Sequence, residues 1–342
     1  MMALGLVTSS GASGDSVTTA GGSGDSVTTA GATNHSSMMT SSSTSADSVA
    51  STGTTLLFGA YVPPAPMSGM DPVEQLEGAL GRKLDIVLFY QAWGGDWSAF
   101  RSEYLSAAAA DGRRVLLTWE PWVPNGSRNQ PQFRLASILH GEYDSYIRTW
   151  ARGLKAYGGR VYLRPMHEMN GNWYPWGGTV NGNTPKQYRR AWRHIHGIFD
   201  QAGVTNVRWV WSPNAVDVPS TNHFERYFPG TDYVNVMALD GYNWGDCRPE
   251  YGGWKSFDRV FRSAYGRIAK LSRKSVWIAE TASAPEGGNK ARWVTNMFRV
   301  LPEYYPRVRA VIWFDTKKEC DWRLTSSPDV LKAVVEALKK LG

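Results

Sequence analysis

The chain is poor in the residues that several large function classes require. It has two cysteines, Cys247 and Cys320, and six histidines among 342 residues. That permits a single disulfide, whose formation the sequence leaves open, and supports neither a cysteine-rich scaffold nor a clustered zinc site. His194 and His196 stand two apart in a helical segment and face different sides, so they do not share a metal. No metal and no cofactor is expected. Long apolar runs are missing too: none approaches the ~18 residues that a membrane-spanning helix needs. The formal net charge of +7 comes from scattered side chains such as Arg189, Arg190 and Arg193, without a basic stripe or a nucleic-acid motif. No Lys or Arg precedes Arg82, so MMALGLV lacks the positive flank and the apolar length of a secretory signal. Residues 1–54 hold hardly any large apolar side chain and repeat SGDSVTTAG at 13–21 and 23–31. Such a composition buries too little surface to offset chain entropy, so a disordered low-complexity tail is expected over 1–54.

What remains, 55–342, is rich in tryptophan, with 16 in the chain, and contains eight apolar runs in order: 56–62, 85–91, 114–120, 160–166, 207–213, 233–239, 275–280 and 309–315. Near-continuous rather than alternating apolar character marks strands covered on both faces, as in a parallel sheet. Helical segments fall between them. DPVEQLEGALGR, for instance, has Asp71 as candidate N-cap and Pro72 at the first helical position. The weakest helix is the one near HFERYF, between the fifth and sixth strands. Eight strands alternating with helices predict one α/β domain, a (β/α)8 barrel, a fold of about 250 residues.

The chemistry concentrates at two strand ends. RPMHEMNGNWYPWG (164–177) delivers His167 and Glu168 into a loop with Asn170, Asn172, Trp173, Tyr174 and Trp176. A lone strand-end glutamate is as readily a helix cap as a catalyst, but a carboxyl among indoles is desolvated and suited to protonate a leaving group. The aromatic faces and amides suit a sugar ring. SVWIAETAS (275–283) presents Glu280 in the same way. Two carboxyls flanking one bond are what glycoside hydrolysis requires, and barrel active sites lie at the C-terminal ends of the strands. Arg164, four residues before Glu168 and on the same inward side, either steadies a carboxylate or sits in an internal ion pair. Trp93 and Trp97 follow strand two, while Trp119, Glu120 and Trp122 follow strand three. They are candidates for sugar subsites, with Glu120 bonding hydroxyls, or for loop packing. Asn214 and Asn243, after strands five and six, are further hydroxyl-binding candidates.

The strings HEMNGNWYPW and WIAETAS, in this order and on these strands, resemble the family 26 glycoside hydrolases over essentially all of 55–342. That family comprises (β/α)8 endo-β-1,4-mannanases and lichenase-type endo-β-1,3-1,4-glucanases. The resemblance implies Glu168 as acid/base, Glu280 as nucleophile and His167 as the histidine before the acid/base. It also implies Tyr242 as a hydrogen-bond donor to the nucleophile, with Asp240 beside it, and Trp313 as the indole floor under the sugar. Asn170, Trp173 and Trp176 are expected among the substrate-binding residues. WFDTKKECDWR (313–323) looks more like the glucanase members, which favours a mixed-linkage β-glucan over strict mannan specificity. The expected partner is a plant-cell-wall-type polysaccharide, with no nucleic acid or membrane. A monomer is expected, secreted on the strength of that substrate class. The competing reading from another class is a carbohydrate-binding pseudoenzyme without turnover.

Overall fold

In a computed structural model, residues 56–96 and 98–341 are described. The tail 1–54 and Trp97 lie outside them. Eight strands form a closed, all-parallel barrel in sequence order: β1 (Leu57–Tyr61), β2 (Ile86–Ala92), β3 (Arg114–Glu120), β4 (Val161–Pro165), β5 (Val207–Trp211), β6 (Val236–Asn243), β7 (Val276–Ser283) and β8 (Val308–Phe314). The α-helices are α1 (Asp71–Leu80), α2 (Ser102–Ala109), α3 (Leu135–Leu139), α4 (Asp144–Tyr157), α5 (Pro185–Gln201), α6 (Phe257–Leu271), α7 (Lys290–Tyr304) and α8 (Pro328–Lys339). The fifth crossover carries only 3-10 turns, Phe224–Tyr227 and Thr231–Tyr233, where the sequence showed its weakest helical pattern. Helix α1 is capped by Met70 and starts at Asp71, one residue earlier than the sequence suggested, with an acid in its first turn and Gly81 closing it in the left-handed region. Among the described residues no helix is long and apolar enough to cross a membrane.

Alternation along each strand sorts its side chains into two layers. Ile86, Leu88, Leu116, Val210, Ala238, Trp277, Ala279, Ala310 and Ile312 fill the barrel interior. Their sequence neighbours Val87, Leu117, Val115, Ile278 and Val311 face the helices. One irregularity matters for function. The pairing of β6 with β7 jumps from Leu239–Ile278 to Asp240–Glu280, so Ala279 has no partner of its own. This bulge turns Glu280 inward immediately after the inward Ala279, where strict alternation would aim it at the helices.

Beyond β6 and β8, the two cysteines meet: Cys247 and Cys320 form a disulfide with Cα atoms 6.0 Å apart, a spacing that a bridge accepts. Strand seven lies between these two strands, but the loops that follow them are long enough to close the gap.

Candidate active site

At the C-terminal mouth the chain leaves β4 through two left-handed residues, Met166 and Glu168, with φ of 49° and 51°. A non-glycine residue adopts this conformation only where its surroundings impose it. Here the Glu168 N–H is tied to the Ser212 carbonyl at 2.8 Å, beyond the end of β5. The Glu168 carboxyl then lies between two donors, Asn214 Nδ2 on Oε1 and Trp173 Nε1 on Oε2, both at 2.7 Å. Gly171 lets the Trp173 ring lie close over the loop, since a Cβ there would stand 2.3 Å from the indole.

Across the mouth, Glu280 accepts from Arg164 Nη2 at 2.5 Å and, on its other oxygen, from the Tyr242 hydroxyl. Arg164 is fully buried. It is in register with Thr118 and donates to that hydroxyl, while its Nη1 donates to Asp240 Oδ1 at 2.9 Å. The two readings left open for Arg164 are therefore both realised: an internal ion pair, one arm of which grips Glu280. His167 Nε2 lies 3.8 Å from Glu280 Oε1, with its ring against Tyr174.

Charge follows from this wiring. One guanidinium serves two buried carboxyls. Burial pushes Asp240 up, against the pull of Arg164. Glu280 accepts hydrogen bonds at both oxygens, the pattern of a carboxylate. Tyr242 is held well above its usual value by burial and by the Glu280 charge, so it stays a donor. Burial, then Arg164, pushes His167 well below its usual range, leaving a neutral imidazole. Glu168 is pushed up to about 7, by burial first and by the Glu280 charge second, while the Asn214 and Trp173 donors pull it down. Two carboxyls in different surroundings thus face one mouth: Glu280 accepts from two donors, while burial keeps Glu168 protonated toward neutral pH.

A test of this wiring is Trp173→Phe. The indole N–H stabilises the charged form of Glu168, so its loss should raise the acid's pKa. Activity requires the protonated acid, and kcat/KM should fall as pH rises through about 7 in the parent. In Trp173→Phe that alkaline limb is expected to move up by roughly half a unit to one unit, the worth of one net hydrogen bond. An unmoved limb in the measured pH profile would remove Trp173 from the control of Glu168.

His167, Asp240 and Glu280 bring ligand atoms within 4.8 Å of one another. Arg164 already donates to both carboxyls of that group, so the cationic position is filled by guanidinium and the trio does not fit a metal.

Several other expected site residues pack away from the mouth, whereas Glu120, inward like Thr118, ends β3 beside it. Trp313 faces the helix layer, fully buried against Trp293, with its indole N–H on the Trp322 carbonyl. It is not the floor under a sugar. Alternation through Ala310 and Ile312 makes Phe314 the inward residue, stacked on Tyr61 at 4.8 Å and edge-on to Tyr242 at 5.7 Å. Trp119 and Trp93 pack on each other and on Tyr146 in the helix layer, so neither is a subsite. Trp176 is buried, stacked on Tyr174, and braces the His167 carbonyl. Asn170 uses its amide on the Asn214 and Asp217 segment and accepts from Asn214 N–H, so it positions Asn214 rather than binding substrate. Asn243 is the last residue of β6 and bonds Ser283 and Lys255 N–H. Glu120 is fully buried under Trp122, which donates to it, and burial pushes it up to about 8. His194 pairs with Asp144 at 2.6 Å, and His196 lies against Trp209. The sequence reading undervalued Asn214, whose amide holds the acid, and missed Tyr61 and Phe314, which alternation along β1 and β8 places at the mouth.

Residues 133–280 match the family model described as glycosyl hydrolase family 26. Endoglucanase H of Acetivibrio thermocellus is 40% identical over 285 residues, which is 83% of this chain and 30% of that protein. The chain belongs to glycosyl hydrolase family 26. Within this family 26 chain, both Glu168 and Glu280 fall inside the matched span. A mannan endo-1,4-beta-mannosidase of Bacillus subtilis strain 168 is 34% identical over 103 residues, covering 29% of this chain and 27% of that one. The family 26 chain thus spans less than a third of the length of these curated relatives. The catalytic domain of an endo-beta-1,4-mannanase from Bacillus sp. JAMB-750 superposes with a TM-score of 0.65 at 18% identity, covering 83% of this chain and 86% of that one. A beta-mannanase from Bacteroides ovatus gives 0.61 at 20% identity, covering 84% and 89%. At these identities the structural likeness speaks for the barrel alone.

Proposed function

We propose that the chain is a retaining endo-β-glycanase that cuts internal β-1,4 linkages of a β-glucan, with mixed-linkage 1,3-1,4-glucan as preferred substrate. The observation that carries this reading is the asymmetry of the two glutamates: Glu280 held by Arg164 and Tyr242, Glu168 desolvated and pushed up to about 7. In the first step the Glu280 carboxylate attacks the anomeric carbon, the glycosidic C–O bond breaks, and the Glu168 proton passes to the departing oxygen. Glu168, now a base, takes a proton from water, whose oxygen attacks the same carbon and releases Glu280. The similarity to an endoglucanase over most of this chain supports the glucan assignment. The mannanases among the relatives keep strict β-1,4-mannan cleavage as the second reading. Secretion is part of the proposal, supported by the Cys247–Cys320 bridge, because disulfides persist in oxidising compartments.

Reducing-sugar release should be measured on barley β-glucan, lichenan, carboxymethyl-cellulose, glucomannan and galactomannan. Proton NMR of the first product should show the β-anomer. The expected result is fastest release from barley β-glucan and lichenan. Release from galactomannan alone would move the assignment to mannan, and binding without release would make the chain a pseudoenzyme. A first-formed α-anomer would replace the covalent route with direct displacement.

A further inference from the structure

The loop after β6 builds an aromatic surface that the two-glutamate mechanism does not use. Trp244 follows the last residue of β6. Its ring centroid lies 5.7 Å from that of Tyr242, the residue bonded to Glu280, and 4.7 Å from that of Tyr251. Tyr251 is 44% exposed, one of few large aromatics left so open. Trp244 is half-buried, with one edge against Trp322 at 5.0 Å. The aromatic line Tyr242–Trp244–Tyr251 therefore runs outward from the nucleophile, from two half-buried rings to an exposed one.

This surface is unusually well fastened for a loop. At its base Asn243 accepts from Lys255 N–H and donates to Ser283, and the Lys255 ammonium returns to the Tyr251 carbonyl at 2.7 Å. Gly245 approaches the Glu286 carbonyl so closely that a Cβ would stand 2.0 Å from it, and its φ of 53° suits glycine. Three residues after Trp244, Cys247 is joined to Cys320, two residues before Trp322. The bridge thus clamps together the loops that carry the two indoles, Trp244 and Trp322, which meet edge to face. An exposed tyrosine on a mobile loop would lose conformational freedom on binding a ligand, whereas rings fixed beforehand avoid that cost.

We infer that Trp244 and Tyr251, held in place by the Cys247–Cys320 bridge, form an outlying sugar subsite that stacks a pyranose ring of the β-glycan chain beyond the ring attached to Glu280. The assignment rests on the glycanase reading above and deepens it. Stacking is the chemistry that recognises the occupant: the flat apolar face of a β-linked pyranose against an aromatic ring, with hydroxyls left in water. Continuity with the nucleophile through Tyr242 marks a glycan, rather than a peptide or lipid, as the ligand.

The test is binding as a function of ligand length. In a Glu280→Ala parent, which binds without turning over, calorimetry with gluco-oligosaccharides of two to six rings should show affinity rising until the platform is reached. The last productive ring should add about tenfold, equivalent to 1.4 kcal/mol. In the same background, Trp244→Ala is expected to abolish that increment, so the curve flattens one ring earlier. Tyr251→Ala changes an exposed side chain that the fold does not need, and should remove part of the increment. Replacing both cysteines with serine should also reduce it by loosening the clamp. A purely structural role for Trp244 predicts instead an equal loss at every length, and that result overturns the subsite. So does an increment that survives both Trp244→Ala and Tyr251→Ala. A parent that binds no glycan of any length would overturn the glycanase reading itself, an outcome visible before any platform variant is made.

Discussion

Glu280→Ala is expected to lower turnover by roughly four orders of magnitude or more, as losses of a covalent nucleophile do, while leaving the melting temperature unchanged or higher. The stability half follows from the charge count. In the parent, Arg164 is shared between Glu280 and Asp240; without Glu280 a matched buried pair remains. Added azide should restore turnover and give an α-glycosyl azide, because the small anion enters the vacated space and attacks from the face Glu280 used. Glu168→Ala should behave differently. With an activated aryl leaving group, which departs without a proton, its first step should survive in large part. Azide should then react with the Glu280-bound intermediate to give the β-azide. Opposite anomers from the two variants, read by NMR, assign the two roles independently of any rate. The same anomer from both would end the double-displacement mechanism.

How much of this was legible in the chain depends on which physical rule carries each piece. The barrel was, because eight apolar runs separated by helical patterns leave few alternatives, and strand limits agree to within three residues except at the C-terminal end of β6. Glu168, Arg164 and their inward side were legible from spacing. Trp313 was misplaced although the information was present: counting in twos from Ala310 sends it outward and Phe314 inward. Glu280 is the reverse case. Alternation from Ala279 would aim it at the helices, and only the bulge turns it inward; no local residue pattern announces that bulge. The tryptophans at 93, 119 and 176 show why aromatic abundance is ambiguous. A ring beside a catalytic strand end packs equally well under the helices, and burial, not composition, decides. The pairing of Cys247 with Cys320 needed the loop geometry, because sequence separation does not set the Cα distance.

Arg164 is where stability and chemistry meet, and Arg164→Met is expected to damage both. The substitution preserves most of the volume but leaves Asp240 and Glu280 buried without their cation. Stranding buried charge in this way costs about 3–5 kcal/mol, roughly a 5–8 °C fall in melting temperature for a barrel of this size. The pH dependence has a definite sign. Asp240 already lies above its ordinary value when folded, and Arg164 is what pulls it down. Without Arg164 the folded value rises further above the unfolded one, so the folded state holds the extra proton. The penalty is then fully present at pH above the folded value and is relieved as pH falls. Parent and variant melting temperatures should therefore converge toward acid pH. A second change separates the two roles. Arg164→Met/Asp240→Leu removes one stranded carboxyl and should recover much of the lost stability, as apolar replacements of buried ion pairs do. It should recover none of the activity, because Glu280 still lacks the donor that holds its Oε1 in place. If activity returned along with stability, Arg164 would be part of the scaffold alone, and Tyr242 would be sufficient to keep the nucleophile in place.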